Sequence, residues 1–196
     1  MRAIVPAGLS LKNLGVAHRT KALHVNGPAT KLSHLLFCTA MCASTALAQQ
    51  APERRNWFDD PFFQVSDQVP NCPVPAGPFI TEAERRVQSH GRAERGTTCW
   101  LVGKCERPNS YTYDKDIAQA VQAAFKARNP APRSSLWVTV QRRIVYVEGC
   151  VADARDPQVV PKIEAMLLGV PDVERAIANV YVKGKDTPHY KLLNAP

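Results

Sequence analysis

Between Asp114 and Lys183 the apolar positions alternate between helical and strand-like spacing, and the order of the changes predicts helix, strand, strand, helix, strand. Ile117, Ala120, Val121, Ala124 and Phe125 recur on one side of a helix, with Asp114 expected as its N-cap and Asp116 in its opening turn. Pro130 and Pro132 stop that helix near Asn129. Leu136, Val138 and Val140, then Val145, Val147 and Val151, alternate as two strands, and the basic turn Gln141, Arg142, Arg143 between them makes a hairpin. Val159, Ile163, Met166 and Leu167 mark a second helix. It starts at Asp156 and Pro157, or only at Pro161, and Gly169 is expected to end it in a left-handed conformation. A last strand, Val173 to Val182, alternates through Ala176, Ala178, Val180 and Val182.

Upstream, from Trp57 to Tyr113, the pattern is different. Trp57, Phe58, Phe62, Phe63, Phe79 and Trp100 are interrupted by Pro61, Pro70, Pro73, Pro75 and Pro78, which suits irregular chain folded against something else. Thr81 and Glu84 have the spacing of a capping box, predicting a polar helix to about Arg95 that ends at Gly96, with Gly91 inside it. Val87 is nearly its only large apolar residue, so it reads as a surface element rather than a membrane-binding amphipath.

Tyr113-Asp114-x-x-Ile117, Val145-x-Val147-x-Gly149-x-Val151, and Gly169-Val170-x-x-Val173 leading to Asn179-Val180-x-Val182 together resemble the BON domain, a module of exported envelope proteins. The resemblance implies an α+β fold, an αββαβ module with two helices on one face of a small mixed sheet, here joined to a disulfide-tied N-terminal extension. Two departures from the family pattern stand out. Gln141, Arg142 and Arg143 replace the usual Asn-Gly or Asp-Gly turn, and the segment between Val173 and Asn179 is longer than usual, which leaves the register of the last strand open.

Composition adds a compartment. Arg2, Lys12, Arg19, Lys21 and Lys31, an apolar run from Leu35 to Ala43, and Ala46-Leu47-Ala48 before Gln49 read as a secretory leader cleaved after Ala48, predicting a periplasmic protein. That run is too short to span a bilayer, and Phe37 and Met41 before Cys38 and Cys42 disfavour a lipoprotein site. The expected organisation is leader 1–48, extension 49–112, BON-like domain 113–184 and tail 185–196. Of 25 basic residues five lie in the leader and none of the 17 acids do, so the net charge of +8 falls to +3 after cleavage. A nucleic-acid binder would keep a dense basic face, and none is expected here.

Four cysteines follow the leader, Cys72, Cys99, Cys105 and Cys150, and in an exported chain they predict two disulfides in one of three pairings. Strand alternation sets Val145, Val147 and Val151 on one face and Tyr146, Glu148 and Cys150 on the other, with Trp137 beside them. A face bearing Trp137, Tyr146 and a cysteine is expected to be covered, and the extension is the natural cover. That arrangement favours Cys105 with Cys150 and Cys72 with Cys99.

No reactive constellation accompanies the fold pattern. His90 and His189 lack cysteines or carboxylates at metal-ligand spacing, no Cys-x-x-Cys pair exists, and no Gly-x-Ser-x-Gly elbow, P-loop or dinucleotide fingerprint occurs. Glu82 is placed to pair with Arg86 on the polar helix. The expectation is therefore a protein that is not an enzyme and has no cofactor. What the resemblance implies is contact with anionic phospholipid or an envelope protein. Candidate contacts are Lys115, Arg142 and Arg143, brought to one end if helix start and hairpin turn adjoin. The alternative is an assembly component that binds protein and no lipid.

Overall fold

In the computed structural model, which describes residues 52–194, a four-stranded mixed sheet carries the chain. The elements run β1 (Phe62–Asp67), α1 (Glu82–Leu101), a 3₁₀ turn (Ser110–Tyr113), α2 (Asp114–Ala127), β2 (Ser134–Gln141), β3 (Ile144–Val151), α3 (Val159–Leu168) and β4 (Arg175–Val182). The sheet order is β1-β2-β3-β4, antiparallel at the first two junctions and parallel at the third. Parallel pairing needs a crossover, and α3 supplies it. The expected leader, its cleavage site and Cys38 and Cys42 lie outside the described residues. No described helix is long and apolar enough to cross a membrane.

Period-two alternation divides the core into two layers. Leu136, Val138, Val140, Val145 and Val147 face Ile117, Val121 and Phe125 of α2 and Ile163 and Leu167 of α3, nearly all of them fully buried. Each such side chain contributes about 1.5–3 kcal/mol relative to exposure. The opposite face holds Trp137, Cys150 and Tyr181 under Val69 and Cys72, with Phe62 and Tyr190 packed alongside. The extension does cover this face, as the alternation required, but it shares the task with the C-terminal tail. Ala76 N–H donates to the Lys191 carbonyl at 2.7 Å, Leu193 N–H to that of Val74 at 3.0 Å, and the Tyr190 hydroxyl to that of Pro73 at 3.0 Å.

Several sequence expectations need correction. The extension is not wholly irregular, because Phe62–Asp67 adds an edge strand antiparallel to β2, its register shifted by a bulge between Gln64 and Ser66. Helix α1 has the expected capping box, with Glu84 N–H donating to Thr81 Oγ1 and Thr81 N–H to the Glu84 carboxylate. It does not stop at Gly96, however. That glycine is buried against Asn109, whose Oδ1 would lie 2.7 Å from an added Cβ, and the helix continues to Leu101. Gly169 ends α3 with φ near −81°, not left-handed, and the positive φ falls instead on Asp172 at 66°. The segment from Val173 to Asn179 is mostly strand, since β4 begins at Arg175, and its register on β3 runs unbroken from Ile144↔Arg175 to Val151↔Val182. Helix α3 begins at Val159, so Pro161 sits in its first turn, where its missing N–H costs nothing.

The favoured disulfide pairing is also overturned. Cys72 bonds Cys150 and Cys99 bonds Cys105, with Cα separations of 6.1 and 5.5 Å. The segment after β1 folds back over β2, where Val69 N–H donates to Ser135 Oγ, and this lays Cys72 rather than Cys105 against β3. Cys99, at the end of α1, and Cys105, six residues on, close a local loop with each other instead.

Candidate functional site

Asp114 organises one end of the molecule. It opens α2 without capping it, since the N-cap position is Tyr113 and no side-chain cap bond is made. Its two carboxylate oxygens instead accept N–H bonds from Arg142 at 2.7 Å and Arg143 at 2.8 Å. These are the two turn residues between β2 and β3, with φ of 55° and 62°. Paired positive values define the type I′ hairpin turn that ordinarily selects Asn-Gly. Non-glycine residues there cost about 1–2 kcal/mol each, and a charged acceptor for both turn N–H groups offsets that cost. Asp114 is 2% exposed, and burial pushes its carboxyl up to about 6 against the lowering effect of the two backbone bonds.

Beside it, Asp60 is buried in a second polar cluster. Arg92 of α1 grips it with two nitrogens at 2.6 and 2.9 Å, and Gln141 Nε2 donates to it at 2.7 Å. The Arg92 guanidinium lies over the rings of Phe58 and Tyr111, 4.1 and 3.9 Å from their centroids. Tyr113, also buried, accepts at its hydroxyl from the N–H groups of Glu106 and Arg107, while the guanidiniums of Arg107 and Arg143 lie against its ring. Extension, α2 and hairpin are thus joined by polar groups that satisfy one another.

The three candidate contacts meet at this end but in different states. Lys115, largely exposed, bonds Asp59 at 2.7 Å, and Arg143 donates Nε to the Asp172 carbonyl at 2.8 Å with its side chain mostly covered. Among the described residues Arg142 has no carboxylate within ion-pair distance, and it lines a cleft of 190 Å³ with Arg95, Lys104, Ser110 and Glu174, among others. The cleft's other wall is the end of α1, where Thr98, Cys99 and Val102 contribute. Among the described residues no group of three or more His, Cys, Asp or Glu side chains is placed to hold a metal ion.

The end of α1 was not among the sequence candidates. Trp100, expected in the cover, is 49% exposed, and Leu101 and Val102 are 70% and 60% exposed. The signal was present as Cys99-Trp100-Leu101-Val102-Gly103-Lys104-Cys105, an apolar run between two cysteines. Expecting the helix to end at Gly96 concealed that this run crowns it. Comparison with family models, with curated proteins and with solved structures finds no match to this chain.

Proposed function

We propose that the protein is an exported, non-enzymatic component of the cell envelope whose BON-like module, together with its extension, meets a phospholipid surface. The observation that carries this reading is the element order. Helix, hairpin, crossover helix and parallel strand follow one another across the segment that resembles the BON domain, in the αββαβ order the resemblance implies. The chemistry at the turn end is consistent with a contact surface rather than a reaction centre. Asp114, Asp60, Tyr113 and Arg92 are all spent on holding elements together. Lys115 and Arg143 are engaged by Asp59 and Asp172, so the basic trio alone gives weak attraction, at most about 1 kcal/mol per cation at an anionic surface.

Cosedimentation of the chain from Gln49 onward with phosphatidylglycerol and with phosphatidylcholine vesicles, at low and high salt, tests the reading. The expected result is retention by the anionic vesicles that weakens with salt. Retention by neither vesicle removes the lipid reading and leaves docking to an envelope protein in its place.

A further inference from the structure

The Cys99–Cys105 disulfide closes a short loop at the free end of α1, and every residue from Trp100 to Lys104 is exposed. A Cβ added to Gly103 would meet nothing within 4 Å, so the loop is open to solvent at its turn. Three consecutive large apolar side chains on a projecting tip are an unusual surface to leave in water. Their backbone is already satisfied on the donor side: Val102 N–H donates to the Thr98 carbonyl, Gly103 N–H to Trp100, and Lys104 N–H to Cys99, at 3.3, 3.0 and 2.7 Å. No tip N–H is then left unpaired where the side chains reach the acyl boundary below the headgroups.

Directly behind the tip, Arg95, Lys104 and Arg142 border the cleft against a single carboxylate, Glu174. Glu94 and Glu106 are exposed nearby, Glu94 nearly two turns back along α1 and Glu106 beyond the staple, so the cationic character is concentrated in the cleft behind Val102. Lys104 also lies just past the negative pole of α1 and offsets it. A tryptophan beside aliphatic side chains, with cations one step behind, is the arrangement of an interfacial anchor.

Resting on the lipid reading above, we infer that this stapled tip is the element that enters the membrane: Trp100, Leu101 and Val102 insert at the headgroup level of an anionic phospholipid surface while Lys104, Arg142 and Arg95 meet its phosphates. The contact is therefore made chiefly by the extension, and of the turn arginines only Arg142 belongs to it.

Vesicle cosedimentation of the oxidised chain from Gln49 onward, carrying Trp100→Ser/Leu101→Ser/Val102→Ser or Lys104→Gln/Arg142→Gln, decides the matter, with sedimentation velocity run on each protein. Trp100, Leu101, Val102 and Lys104 are exposed and Arg142 is half-buried, and an unchanged urea denaturation midpoint checks that the fold is intact. The expected result is that the triple variant loses about tenfold or more in partitioning onto phosphatidylglycerol vesicles, and that the double variant loses about fivefold per cation at low salt and nothing at high salt. Trp100→Ser alone should lose an intermediate amount. If the native chain binds and the triple variant binds within twofold of it, the tip is not the contact and the lipid reading survives without it. If the native chain binds no vesicle, that reading falls and this inference with it. A dimer that the triple variant turns into a monomer would assign the tip to a second copy of the chain instead.

Discussion

At the scale of single residues, Asp114 and Gly149 show how local chemistry holds this sheet in register. The Asp114 carboxyl, at about 6 in the folded chain against an ordinary 3.8, holds a proton more readily folded than unfolded. Its contribution to stability is therefore full below about pH 4, falls as pH rises to about 6, and is flat above. Asp114→Asn lacks that titration, so the stability difference between native chain and variant, read from urea denaturation at pH 4 to 7, should shift against the native chain across this window. Asp114→Ala leaves the N–H groups of Arg142 and Arg143 without their acceptor and should cost about 2 kcal/mol at neutral pH. Gly149 is required for another reason. With φ of 152°, it brings β3 so close to β2 that an added Cβ would sit 2.1 Å from the Ser135 carbonyl oxygen and 3.0 Å from Leu136 Cα. Both obstacles are backbone and cannot rotate away. Gly149→Ala should therefore destabilise by about 3 kcal/mol or more, measured as a lower denaturation midpoint, whereas a variant as stable as the native chain would show that the strands can part without penalty.

At the scale of elements, what was legible in the sequence is what repeats locally. Helices α2 and α3 and strands β2, β3 and β4 each carry enough apolar periodicity to declare themselves, because each buries one face against the same core. Strand β1 does not. Its six residues show alternation only at Phe63 and Val65, Pro61 precedes it, and it exists because β2 offers an unpaired edge far along the chain. Arg142 and Arg143 are equally opaque from their own positions, since the residue that makes their turn affordable is Asp114, on another element. The disulfides followed the same logic: alternation placed Cys150 on the covered face, but the partner depended on where a loop folded back. The two bridges should differ in weight. Cys72–Cys150 spans 78 residues and Cys99–Cys105 only six. Replacing the first pair by serine should cost about 4 kcal/mol and the second about 2 kcal/mol, because loop closure removes more freedom from the longer unfolded segment. Equal shifts in denaturation midpoint would mean that the long bridge relieves little chain entropy.

At the scale of the whole described chain, the far face of the sheet makes the extension and tail part of the domain rather than appendages. Trp137 and Cys150 were placed there by alternation, and both are buried, but so is Tyr181 of β4, and Tyr190 of the tail packs with it. The tail's part could not be read in advance, because the Tyr190 to Pro73 bond joins positions 117 residues apart with no repeating pattern behind it. A fragment limited to residues 113–184 would keep the helix-side core but lose β1, Val69, Cys72 and Tyr190 together. Trp137, Tyr181 and an unpaired Cys150 would then face water, and β2 would become an open edge inviting association. At about seventy residues a domain has little stability in reserve. The fragment should bind a hydrophobic dye, unfold at lower urea than the chain from Gln49 onward, and sediment as oligomers. Restoring 49–112 without the tail should recover the disulfide and the edge strand, and with them most of the lost stability. A fragment 113–184 that is monomeric and as stable as the longer chain would mean that the helix-side core suffices and that the cover exists only to present the α1 tip.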